Sequence, residues 1–295
     1  MTKNTPYIHT APYPGPILAV VLDWAGTAVD HGSLGPTAVF ARSFAEHGVD
    51  VTLDEIRPFM GLEKIDHVRA MLKLDSVAAK WREAAKTEPD EKAVNAVYAL
   101  LEPMMVEAVT SHAEPITGVV EAMDALRRRG VAIGSCTGYT LPMMEALVPV
   151  AAAHGYAPDY WTCASEAPAG RPWPWMCYQN AMALDVYPME AMVKVGDTVS
   201  DIQEGRNAGM WAVGVCRTGN ELGLSEAEVA SLDPAELRRR MREVADRFFA
   251  AGAHFVVESA ADLEIVIDDI EGRMQKGVTP LFAGPISHKI LAGVR

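Results

Sequence analysis

The stretch AVVLDWAGTAVDHG, residues 19–32, opens on four apolar residues, delivers Asp23, and turns through Gly26. An apolar run too short for a helix, closed by an acid and a glycine, predicts a buried strand that presents Asp23 at its carboxyl end. Two places further on, where a second acid would complete a pair, stands Ala25. The chemistry built on this turn therefore has one carboxylate to work with.

Working outward, ILAVVLD, VAIGSCT, YWTCA, MVKVGD, WAVGVC and HFVVES read as six short strands that alternate with helical patterns. That rhythm predicts an α/β fold, a doubly wound parallel sheet of Rossmann-like type with helices on both faces. Thr117 is placed to cap a helix ending at Gly130, and Asp233 followed by Pro234 opens another. One block breaks the rhythm. Residues 33–112 hold only helical pieces, TAVFARSFAEHG, LDEIRPFMG, EKIDHVRAML and DEKAVNAVYALLEPMMVEAV, with Thr52 and Glu55 in a capping-box pattern. A helical cap inserted after the first strand accounts for it. The expected division is a flexible leader over 1–16, an α/β core over 17–32 and 113–272, the cap over 33–112, and a tail over 273–295.

The chain has 295 residues, 49% of them hydrophobic, and a formal charge of -13. It can fill a sizeable core, and its acidity argues against nucleic acid and anionic membrane surfaces as partners. No window has the length of a membrane span, and the Pro-rich start lacks an apolar signal region, so the expectation is a cytoplasmic protein acting on a small molecule. Cys136, Cys163, Cys177 and Cys216 lie too far apart in sequence for a C-x-x-C pair and read as buried thiols.

Ligands of open parallel sheets bind beyond the carboxyl ends of the strands. Those ends carry Asp23, then Thr137 with Gly138 and Tyr139, then Asp197 and Asp201 in VGDTVSD. Carboxylates from two strands converging there suit Mg²⁺, which shields an attacking acid from an incoming phosphoryl dianion. Arg171, in a Gly-Arg-Pro turn, offers phosphate oxygens a fixed fork of donors. With LDWAGT, IGSCTG, AGRP and VGDTVSD in this order, residues 17–270 resemble the haloacid dehalogenase superfamily. The resemblance implies that Asp23 is a nucleophile that takes up a phosphoryl group, that Thr137 binds phosphate, that Arg171 orients it, and that Asp197 and Asp201 help to bind Mg²⁺. Members that cleave phosphate esters carry a second acid where this chain has Ala25.

In the cap, Met60, Lys64, His67 and Met71 stand at helical spacings of four, three and four and predict a stripe facing the core, with Ile65, Val68 and Leu72 packed into the cap. Gly61 allows a close backbone approach to a ligand. A lysine among methionines in a cleft loses its proton more readily than a solvated one and becomes nucleophilic. Taken alone, Lys64 is an ordinary surface lysine and His67 a packing residue; the altered first motif reverses that reading.

DWAGT, MGLEKIDHVRA, TGYT, PAGRPWPWMCYQNAM and VGDTVSDIQEGRNAGMW together resemble the phosphonatase family. That resemblance implies cleavage of a carbon–phosphorus bond, a Schiff base on Lys64, Asp23 as nucleophile, Mg²⁺ that also meets the Ala25 carbonyl, and a homodimer. An iminium on Lys64 would let the departing electrons settle into an enamine, so no leaving oxygen needs a proton from position 25. His67 is the candidate proton shuttle and Tyr139 a candidate pocket wall, with simple packing an equal reading for the tyrosine. A capped phosphatase, a halide-displacing enzyme and a binding protein without turnover stay as alternatives.

Overall fold

The computed structural model describes residues 10–286. All six expected strands form: β1 Ala19–Leu22, β2 Ala132–Thr137, β3 Tyr160–Cys163, β4 Met192–Gly196, β5 Trp211–Val215 and β6 Phe255–Val257. They pair in parallel in the order β3-β2-β1-β4-β5-β6. The order reverses direction at β1, so the crevice for a ligand opens beyond the carboxyl ends of β1 and β4. Val20 pairs with Ile133 on one side and Val193 on the other, and every residue of β1, β4 and β5 is buried. Such continuous apolar runs mark a sheet covered on both faces.

Between β1 and β2 the chain is helical: α1 Leu34–Ala45, α2 Leu53–Ile56, α3 Lys64–Leu72, α4 Asp75–Ala85 and α5 Glu91–Ser111. The Thr52 N–H donates to Glu55 Oε2 at 2.9 Å, as the capping box requires. The core helices are α6 Val119–Arg128, α7 Leu141–Ala153, α8 Trp175–Ala183, α9 Val199–Asn207, α10 Glu226–Ser231, α11 Pro234–Ala250 and α12 Leu263–Met274. Asp233 caps α11 by accepting from the Ala235 and Glu236 N–H groups. At α6 the cap is not Thr117. Gly118 holds that place at φ +83, a conformation that threonine adopts poorly.

Within the described residues, parts of the expected leader and tail pack against the core. Tyr13 is buried and its hydroxyl donates to the Pro16 carbonyl at 2.8 Å, while the Ile17 N–H donates to Glu271 at 2.9 Å. Residues 1–9 of the expected leader lie outside the described residues. At the other end α12 runs past residue 272, and Val278, Ala283 and Ile286 pack against the main core. The apolar character of these positions, spread through a Pro- and Gly-rich stretch, shows no period to read. Residues 287–295 lie outside the described residues. Among the described residues, no helix is long and apolar enough to cross a membrane.

Candidate active site

Asp23 leaves β1 with its N–H bonded to the Val195 carbonyl of β4 at 2.9 Å, which fixes the carboxylate at the strand-order reversal. The next residues curl into a tight turn in which Ala28 and Val29 donate back to the Trp24 carbonyl. Gly26 sits there at φ +82, and a Cβ on it would stand 2.1 Å from Asp197 Oδ2. Glycine in this motif is therefore a steric requirement of the second acid, and not only of the turn. Asp197 accepts from Thr27 Oγ1 at 3.3 Å and from the Asn220 N–H at 2.7 Å.

Carboxylate oxygens of Asp23, Asp197 and Asp201 lie within 4.8 Å of one another, all buried. Burial, then the charges of Asp23 and Asp201, push the Asp197 carboxyl well above the usual carboxylate range. Hard oxygen donors crowded in this way are a set that a small divalent cation relieves, so the cluster of Asp23, Asp197 and Asp201 suits one. Asp201 is differently engaged. Its Oδ1 takes Lys194 Nζ at 2.6 Å and Arg171 at 3.0 Å, and its Oδ2 takes the Thr198 N–H and hydroxyl at 3.2 and 2.5 Å. Burial would raise its pKa, but Arg171 and Lys194 outweigh that and hold it below the ordinary value. With both oxygens spent, its contacts suit a residue that orients the cluster from behind.

Arg171 is wholly enclosed. It reaches Asp23 at 2.8 Å, Glu204 at 2.8 Å and Asp201 at 3.0 Å, and also donates to the Cys136 carbonyl at 2.8 Å. Its fork is thus aimed by carboxylates, with one arm on the expected nucleophile. Thr137 ends β2 and accepts from the Tyr139 N–H at 3.2 Å. Between them Gly138 allows a close approach of cap and core, since a Cβ there would stand 2.4 Å from the Leu62 carbonyl. Gly61 answers from the cap at φ +84, where a Cβ would meet Ser200 Oγ and Thr198 Oγ1 at 2.5 Å.

Lys64 is the first residue of α3 and is buried. Its amine lies 4.8 Å over the Tyr139 ring and 5.9 Å from the Phe40 ring centre. Burial pulls its pKa down to about 8, Asp23 and Asp197 pull it back up, and Arg171 pushes it down. Lys64 shares one small cavity with Asp23, Ala25, Met60, Gly61, Thr137, Gly138, Tyr139, Arg171, Asp197 and Thr198. Burial holds the Tyr139 phenol well above its ordinary value, so it is neutral.

The predicted four-residue stripe does not hold. The helix begins only at Lys64, so Met60 precedes it across the Gly61 turn, and His67 turns to Ile56 and Phe40 within the cap, while Met71 is buried. His67 Nε2 bonds to the Ile56 carbonyl at 2.9 Å and its ring lies 3.8 Å from that of Phe40, while Nδ1 has no partner. Burial and then the Lys64 charge keep it neutral. The sequence gives no signal for Thr27, Lys194, Glu204 and Asn220, which join the site only through the fold. The same is true of Cys136 and Cys177, which meet Glu204 although 41 positions separate them. Arg171 and Lys194 beside that trio oppose a cation there.

The sequence model of the haloacid dehalogenase-like hydrolases matches residues 17–209. A phosphonoacetaldehyde hydrolase of Nitratidesulfovibrio vulgaris (strain DSM 19637 / Miyazaki F) is 58% identical over 275 residues, covering 93% of this chain and 98% of that one. One from Bacillus cereus (strain G9842) is 49% identical over 255 residues, 86% of this chain and 97% of its own. The crystal structure of a phosphonoacetaldehyde hydrolase-like protein from Oleispira antarctica superposes with a TM-score of 0.90 at 36% identity, covering 94% of this chain and 100% of that one. The chain is a hydrolase that belongs to the haloacid dehalogenase-like hydrolases and, within them, to the phosphonoacetaldehyde hydrolase family.

Proposed function

We propose that the enzyme hydrolyses phosphonoacetaldehyde to acetaldehyde and phosphate, a step of phosphonate degradation. The observation that carries this reading is the shared cavity of Lys64 and Asp23, which brings an amine of lowered pKa and a strand-end carboxylate to one small molecule. Lys64 condenses with the aldehyde and releases water. Asp23 then attacks phosphorus in line, the carbon–phosphorus electrons move into an enamine, and the phosphoryl group stays on Asp23. Protonation of the enamine carbon and hydrolysis of the iminium free acetaldehyde and Lys64, and a second water releases phosphate.

Arg171 and Thr137 hold the phosphoryl oxygens, and Tyr139 and Gly61 close the pocket around the aldehyde. His67, neutral and with an unpartnered Nδ1, is the base available to Lys64 through a bridging water. We assign Mg²⁺ to Asp23, Asp197 and the Ala25 carbonyl, with Asp201 supporting from behind; when bound, it offsets the repulsion between Asp23 and the phosphoryl oxygens. A homodimer is supported by exposed apolar side chains on the core, where Trp173 and Trp175 stack at 6.1 Å and Trp175 meets Tyr178, which lines a hollow with Met182 and Tyr187.

Borohydride added during turnover should fix substrate carbon to Lys64, and phosphate and acetaldehyde should appear in equal amounts. Phosphate release without acetaldehyde, or full turnover in Lys64→Arg, would refute the mechanism.

A further inference from the structure

Arg57 lies in the cap, on the single 3-10 turn Arg57–Phe59, well away from Lys64 in role. Its guanidinium crosses to the core and donates to the carbonyls of Gly32 at 3.2 Å, Asn220 at 3.2 Å and Gly223 at 3.0 Å, and to Asn220 Oδ1 at 2.9 Å. Asn220 answers with its Nδ2, which donates to the Arg57 carbonyl at 3.2 Å. Gly223 is shaped for this contact, because a Cβ there would stand 2.6 Å from Arg57 Cζ. The loop that Arg57 grips, residues 218–223 after β5, grips the site in turn. Its Asn220 N–H is the 2.7 Å donor to Asp197 Oδ2, a Cβ on Gly219 would stand 2.4 Å from Asp197 Cβ, and Thr218 Oγ1 donates to the Gly26 carbonyl at 2.8 Å.

A cation that only fixed two surfaces together would not need the residue it holds to bond the working carboxylate through its own backbone. We infer that Arg57 and Asn220 are positioning residues, a clasp that makes the placement of Asp197 conditional on the cap being closed. The inference rests on the reading of Asp197 as a working residue. When the cap lifts, Arg57 withdraws three hydrogen bonds from the loop and a fourth from Gly32, Asn220 loses its side-chain partner, and the N–H that orients Asp197 is free to swing. Closure restores the loop and the carboxylate together, so the site is complete only when Lys64 has arrived above it.

The test compares Arg57→Ala, Asn220→Ala, Arg57→Lys and the double alanine variant. Asn220→Ala keeps the backbone N–H and removes only the two side-chain bonds of the clasp. Each alanine variant should lower kcat/KM for phosphonoacetaldehyde by about tenfold or more, as for loss of charge-assisted bonds. The double variant should be no worse than the poorer single one, because the two act as one unit. Arg57→Lys should recover part of the loss. Amide hydrogen exchange is read on the protein without substrate: in the alanine variants residues 218–223 and α3 should lose protection together while the sheet keeps its own. Additive losses in the double variant, unchanged protection of the loop in Arg57→Ala, or loss of protection spread evenly over the core would overturn the clasp. Absence of turnover in the unaltered enzyme would count against the substrate, while selective loss of loop protection would still support the clasp.

Discussion

The reactivity proposed for Lys64 comes through burial, because no neighbour shifts its pKa as much as the loss of water does. The free amine is the form that attacks an aldehyde, so activity should climb as pH rises through about 8 and level off above it, before any alkaline loss of other groups. Substrate-dependent kcat/KM measured from pH 6 to 9 checks the sign; a profile falling over that range would contradict it. Lys64→Arg keeps a charge but offers no nucleophile and should lower turnover by at least about a thousandfold, while phosphate binding persists. At Gly61 the constraint is steric. Gly61→Ala combines a positive φ with a Cβ 2.5 Å from Thr198 Oγ1, an atom already committed to Asp201. The cap should seat less deeply, with kcat/KM down roughly tenfold and little change in Tm. Lys64 and Asp23 stand out as candidates in the sequence because each lies in a local motif. Asn220 and Glu204 do not, since each acts through a partner at least 23 positions away and has an ordinary sequence neighbourhood.

Elements were legible wherever an apolar period ran its full length, as in β1, β4 and β5, whose burial is continuous. The stripe in the cap misled because periodicity was counted through Gly61, whose positive φ ends one helical register before the next begins at Lys64. The chain's last described segment shows another limit: it is held by scattered apolar contacts and by a buried histidine, and not by a pattern. His254 Nδ1 accepts from the Ala212 N–H at 2.9 Å, and its Nε2 faces the Pro280 carbonyl at 2.8 Å beside Arg206. Burial first, with Arg206 adding to it, lowers its pKa to about 4. The neutral ring is the native one, so its contribution is whole above pH 6.5 and is lost as pH falls toward 4. The loss is on the order of 3 kcal/mol. Urea unfolding at pH 7 and pH 4.5 should show that drop, and His254→Gln should flatten the part of the slope that belongs to this group.

At the scale of the whole molecule, the apolar face around Trp173 and Trp175 and the acids beneath the cap are both costs to the isolated chain that an added component would remove. For the face the component we propose is a second copy, and on that reading Trp175→Glu should shift the mass in solution from dimer to monomer, as read by light scattering. For the acids it is a cation, and here the sign of the effect can be worked out. Asp197 has a raised pKa in the folded protein, so without metal its contribution to stability is present at low pH and is lost as pH rises above the unfolded value of about 3.8. The Asp197→Asn amide would resemble the protonated acid at every pH and keep an oxygen for the Asn220 N–H. Metal-free Asp197→Asn should therefore be more stable than the metal-free natural protein at pH 7, by about 1–2 kcal/mol or a few degrees in Tm. The two should converge as the pH is lowered. Adding Mg²⁺ should reverse the order, raising Tm for the natural protein alone, because a ligand that binds only the folded state stabilises it. Calorimetry of both proteins with and without Mg²⁺ decides the matter: an Asp197→Asn protein that is less stable without metal would mean that the carboxylate supports the fold, and that the strain ascribed to the site is absent.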